Sequence, residues 1–168
     1  MEHIIHPLRA YTGLLEREGL LTAPVPEGLD LDLPVALVSY DSREVVPGTL
    51  FLCKGAHFKA EFLKMARKRG AVAYVSEIPY PESGLPCIQV SDMRRTIAPL
   101  ADLFYGHPSG RLPVIGITGT KGKSSTAYYL KYILDEYLSE QGRGESGIIS
   151  SIDTYDGVER FESHITTP

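Results

Sequence analysis

Apolar positions in the first hundred residues cluster into short runs separated by turn-forming residues: Ala36 to Ser39, Thr49 to Cys53, Ala71 to Ser76 and Cys87 to Val90. Runs of this length bounded by Gly, Pro, Asp and Ser predict strands. Between the second and third, Phe62, Leu63, Met65 and Ala66 are interrupted by Lys64, Arg67 and Lys68, so Lys59 to Arg69 is predicted as an amphipathic helix. Another helix is expected from Met93 to Tyr105, with Ser91 or Asp92 as its cap.

Gly106-His107-Pro108-Ser109-Gly110 then breaks the pattern. This cluster predicts one domain over 1–110 and a second part over 111–168, with a hinge near 106–112. Past the junction, Pro113 to Thr118 (PVIGIT) reads as a short buried strand and Ser124 to Tyr137 as a helix. Ala127, Leu130, Ile133, Leu134 and Tyr137 share one face of that helix. Gly147 to Ile152 is a second strand candidate, followed by a turn at Tyr155-Asp156-Gly157. Strand, helix, strand in this order predicts a parallel βαβ unit. A doubly wound sheet normally needs about five or six strands, more than this part supplies. The expected fold class is therefore α/β: a small N-terminal α/β domain, then the start of a phosphate-loop, doubly wound parallel-sheet domain left incomplete.

Composition narrows the function. Hydrophobic residues at 43% and charged residues at 23% exclude disorder as the default. A net charge of -4 offers no broad attraction for nucleic acid or an anionic membrane, so any phosphate must be held by a local site. No apolar run reaches bilayer length, and MEHIIHPLRA does not read as a signal peptide, so no membrane association and a cytoplasmic location are expected. Cys53 and Cys87 lie far apart in apolar surroundings, as buried thiols of a reducing compartment do. His3 and His6 have a ligand-like spacing, but no acidic or Cys partner completes a metal cluster.

The strongest chemical signal is Thr118-Gly119-Thr120-Lys121-Gly122-Lys123-Ser124-Ser125, between a predicted strand and a predicted helix. Glycines at 119 and 122 let backbone N–H groups turn toward phosphate oxygens. The helix starting near Ser124 points unpaired N–H groups and a positive dipole end at the same anion. Lys123 suits the β- and γ-phosphates of ATP, and the Ser124 hydroxyl sits where Mg²⁺ is ligated. The strict phosphate-loop pattern places a Gly where this chain has Ile117, with Gly116 and Gly119 flanking it.

TGTKGKSS is similar to the phosphate loop of the Mur ligases, enzymes of the bacterial cell wall. Upstream, Asp41-Ser42-Arg43, Val46-Pro47-Gly48-Thr49-Leu50-Phe51, Lys54-Gly55 and Gly70-Ala71-Val72-Ala73 resemble that family's UDP-binding domain, and Thr166-Thr167-Pro168 a substrate-contacting segment. The motifs occur in the family's order across residues 41 to 168. The resemblance is strongest to members that add a diamino acid to UDP-N-acetylmuramoyl-L-alanyl-D-glutamate. Lys121, together with Lys54-Gly55-Ala56, favours L-lysine over meso-diaminopimelate.

The resemblance implies ATP and Mg²⁺ as cofactors, with UDP-N-acetylmuramoyl-dipeptide and a diamino acid as partners. In such ligases the γ-phosphoryl of ATP converts a carboxylate into an acyl phosphate, which the incoming amine displaces; Lys123 is the implied catalytic residue. Gly119, Thr120, Lys121, Gly122, Lys123, Ser124 and Ser125 would hold the nucleotide, and Ser124 the metal. Tyr40, Ser42, Arg43, His57, Phe58, Lys59, Thr166 and Thr167 would contact the UDP-sugar substrate. Phe58 could equally be a core aromatic, and Arg43 an ion-pair partner that orients its loop. The second metal ligand, a modified lysine and the amino-acid-binding domain are expected beyond residue 168, so the chain should bind without catalysing. The D-alanyl-D-alanine-adding Mur ligases, folylpolyglutamate synthetases and non-catalytic nucleotide-sugar-binding modules are the alternatives.

Overall fold

A computed structural model of the chain describes residues 5–55 and 58–163. The chain divides into two compact units, Met1–Pro113 and Val114–Pro168. Among the described residues, no helix is long and apolar enough to cross a membrane.

The first unit is a sheet with helices on both faces. Strands β1 (Leu37–Ser39), β2 (Thr49–Leu52), β3 (Ala71–Ser76) and β4 (Cys87–Gln89) pair in that order, all parallel. Alternation along β2 sends Leu50 and Leu52 to one face and Phe51 to the other, with Cys53 following Phe51. On the first face they meet helix α1 (Leu8–Arg17) and helix α3 (Met93–Phe104) through Leu8, Leu15, Leu100 and Phe104. On the second, Phe51 and Tyr74 meet helix α2 (Ala60–Lys68) through Leu63 and Ala66. Thr49 pairs with Ala71 but Leu50 with Ala73, and this irregularity lets Ala71 join the α2 face while Ala73 joins the other.

Strands and helices α2 and α3 fall where the sequence places them, and Asp92 is the cap, accepting from the N–H groups of Arg94 and Arg95. Helix α1 was not predicted. Its Leu8, Tyr11 and Leu15 form a buried stripe, but no side chain caps its start. The N–H groups of Leu8 and Arg9 donate instead to the carbonyls of Leu33 and Leu31. The cap is tertiary and has no local signature.

The second unit departs from expectation. Helix α4 (Lys123–Glu140) forms, but Pro113 to Thr118 is not a strand, and Val114 and Ile115 are exposed. Gly147 to Ile152 contributes only the short strand β5 (Ile148–Ile149), which pairs antiparallel with β6 (Asp153–Tyr155), itself antiparallel to β7 (Arg160–Glu162). The parallel βαβ unit expected there is therefore absent from the described residues of the second unit. A parallel strand exists only through its neighbours' hydrogen bonds, and PVIGIT has none there. The expected turn does form: Asp156 caps it by accepting from the N–H groups of Val158 and Glu159.

Without a strand beneath it, α4 does not bury its apolar stripe. Ile133 and Tyr137 are exposed, and the buried side chain of the helix is Lys131. Its ammonium bonds Asp135 and Glu145 and lies 4.7 Å from the centre of the Tyr155 ring. Burial alone would lower the pKa of Lys131, but the two carboxylates reverse the sign and raise it.

Candidate functional site

The described residues among those singled out in the sequence fall into two places, one in each unit. In the first unit they gather at the carboxyl ends of the parallel strands, the end where open α/β sheets receive ligands. Tyr40-Asp41-Ser42-Arg43 leaves β1, and Cys53-Lys54-Gly55 leaves β2. Tyr40 is half exposed, and the Lys54 ammonium lies 4.5 Å from its ring centre. Ser42 is buried.

Arg43 is engaged within its own loop. Its Nε is 3.0 Å from both carboxylate oxygens of Asp41, and its backbone N–H donates to the same carboxylate at 2.8 Å. The guanidinium and backbone bonds hold Asp41 down at about 2, well below its ordinary 3.8. The Arg43 carbonyl accepts from Arg69 Nη1 at 2.6 Å, which ties the loop to the end of α2. Ser39 Oγ donates to Glu44 and accepts from the Asp41 N–H, closing the turn. Arg43 is thus ion-paired within its own loop, with its side chain exposed.

Phe58 packs against Phe51, Phe62 and Tyr80, with ring centres 6.4, 6.0 and 5.4 Å away, so the structure places it in an aromatic cluster beside the α2 core. Lys59, at the N-cap of α2, is exposed. His57, Thr166 and Thr167 lie outside the described residues. Both thiols are raised above their ordinary pKa by burial, Cys53 to about 12, so neither is poised as a nucleophile.

In the second unit the glycine loop opens α4. Gly119 and Gly122 have φ of 148° and 77°, conformations that a side chain would strain, and Gly122 is the N-cap. A Cβ at Gly122 would meet nothing within 4 Å, so the loop is open to solvent there. No acidic residue occupies the first turn, leaving the positive end of the helix uncompensated. Lys123 curls back over the loop, its Nζ donating to the Gly119 carbonyl at 2.7 Å. Thr120, Lys121 and Ser125 are exposed along the rim. The Ser124 hydroxyl is 3.1 Å from that of Ser151, a contact across 27 residues that no sequence pattern announces. Loop, lysine and hydroxyl together fit a nucleotide polyphosphate with a divalent cation.

By class, the chain is an α/β protein with a phosphate-loop sequence at a helix N-terminus. No protein-family profile matches it. It is 41% identical over 170 residues to UDP-N-acetylmuramoyl-L-alanyl-D-glutamate--L-lysine ligase of Enterococcus faecalis, covering 96% of this chain and 33% of that one. It is 43% identical over 135 residues to a UDP-N-acetylmuramyl-tripeptide synthetase of Lactobacillus delbrueckii, covering 78% of this chain and 25% of the relative. Among solved structures, a UDP-N-acetylmuramoyl-L-alanyl-D-glutamate--2,6-diaminopimelate ligase matches with a TM-score of 0.62 at 18% identity, over 98% of this chain and 31% of that one. The D-alanyl-D-alanyl ligase of Acinetobacter baumannii matches with a TM-score of 0.51 at 24% identity, over 81% and 29%. At these identities the structural likenesses speak for the fold alone. The chain belongs to the Mur ligase family. It spans a quarter to a third of the length of the curated relatives it matches.

Proposed function

We propose that this chain carries the UDP-sugar-binding and ATP-loop portion of a cytoplasmic, ATP-dependent ligase that adds L-lysine to UDP-N-acetylmuramoyl-L-alanyl-D-glutamate. The observation that carries the reading is the 41% identity across 96% of the chain to a relative named for that reaction. The geometry agrees with it. In this reading Lys123, already folded over the loop, holds the terminal phosphates, while the N–H groups of residues 119–125 and the end of α4 hold the rest. Mg²⁺, bound at the Ser124 hydroxyl, would supply charge neutralisation at the transferring phosphoryl. Ser42, Tyr40 and Lys54 face the nucleotide-sugar end, with Arg43 holding Ser42 in place through Asp41. His57, Phe58, Lys59, Thr166 and Thr167 would add further contacts to the substrate.

The chain alone should bind the UDP-sugar weakly and not form the peptide bond, since most of a relative's length lies outside it. The test uses the full-length protein with ATP, Mg²⁺ and UDP-N-acetylmuramoyl-L-alanyl-D-glutamate. ADP should form when L-lysine is added and far more slowly with meso-diaminopimelate. Faster turnover with meso-diaminopimelate would reassign the amino acid. ADP formation indifferent to the UDP-sugar would overturn the ligase reading.

A further inference from the structure

The phosphate loop has a second wall in the turn between β5 and β6. That turn is tightly tied: the Ser150 N–H and hydroxyl donate to the Asp153 carbonyl at 2.9 and 3.0 Å, and the hydroxyl accepts from the N–H groups of Ile152 and Asp153. Ser151 is left exposed at its tip, against the first turn of α4. The hairpin is also fastened to the helix. Asp153 is buried; one of its oxygens accepts from the Tyr128 hydroxyl and the other from Arg160 Nη1 at 2.8 Å. Ser124 and Tyr128 are four residues apart, so both contacts lie on one face of α4. The Ser151 hydroxyl is thus held 3.1 Å from that of Ser124 by two attachments.

A serine hydroxyl has one proton and two lone pairs. To offer a lone pair to a cation it must send its proton elsewhere. We propose that Ser151 is a positioning residue of the phosphate loop: it accepts the Ser124 proton and turns the Ser124 lone pairs toward the divalent cation of a bound nucleotide. The inference rests on the phosphate-loop reading above and deepens it. Ser151 touches neither nucleotide nor cation and acts through Ser124.

Calorimetry on the full-length protein with ATP, in Mg²⁺ and separately in EDTA, tests this. Ser151→Ala should weaken binding about tenfold in Mg²⁺ and leave the EDTA affinity unchanged, and Ser151→Thr should restore it. Ser151→Gly takes the place of Ser151→Ala if the latter does not fold by circular dichroism. Equal losses in Mg²⁺ and EDTA would make Ser151 merely structural and overturn the inference. So would unchanged Mg²⁺-dependent affinity in Ser151→Ala while Lys123→Ala loses ATP. Unchanged ATP affinity in Lys123→Ala would instead remove the phosphate-loop reading, and the inference with it.

Discussion

Asp41 shows how single residues shape the front site. Its carboxylate is spent on orienting Arg43 and the turn that carries Ser42, so the loop is set before a ligand arrives. The folded carboxyl titrates at about 2 against an ordinary 3.8. Between those values the unfolded chain takes up more protons than the folded one, so stability is fully present above about pH 4 and falls as pH drops toward 2. Denaturant melts across this window should show that loss, and Asp41→Asn should flatten it. Identical acid limbs in the two proteins would mean that Asp41 does not hold its proton affinity down through Arg43. Phe58 and Arg43 are residue types that suit ligand or scaffold equally, and the fold adds only their protein neighbours, an aromatic cluster for one and Asp41 for the other.

At the scale of elements, the passage from α2 to β3 depends on Gly70. Its φ is +95°, and a Cβ there would stand 2.8 Å from the Pro47 Cα, a backbone atom that cannot swing aside. Gly70→Ala should therefore cost about 2–4 kcal/mol, the left-handed strain adding to the displaced backbone. Urea unfolding measures it, and a loss below about 1 kcal/mol would show that the loop relaxes freely. The four parallel strands were legible because each buries apolar residues in a short run between turn signals. Asp92 was legible as a cap because its partners are two and three residues away. Helix α1 was not, since residues 31 and 33 satisfy its first N–H groups. Ser151 was not legible either, because a contact across 27 residues leaves no trace in periodicity.

For the molecule as a whole, the two units differ in how much of their apolar surface they cover. In the first, sheet and helices enclose two cores around the strands. In the second, Val114, Ile115, Ile133, Tyr137 and Ile149 stay exposed, and the helix instead buries Lys131 among carboxylates and Tyr155. Pattern alone predicted a parallel strand at Pro113 to Thr118 because it registers apolar residues and not the neighbours a strand must pair with. The glycine loop survives this difference, since its geometry needs only Gly119, Gly122 and the start of α4. The central claim is that this loop holds the ATP of a Mur ligase, and the direct measurement is Mg²⁺–ATP affinity of the full-length protein with and without the Lys123 ammonium. Lys123→Ala should weaken binding about tenfold to a hundredfold while the fold, followed by circular dichroism, is retained. Equal affinity in the two folded proteins would contradict the account.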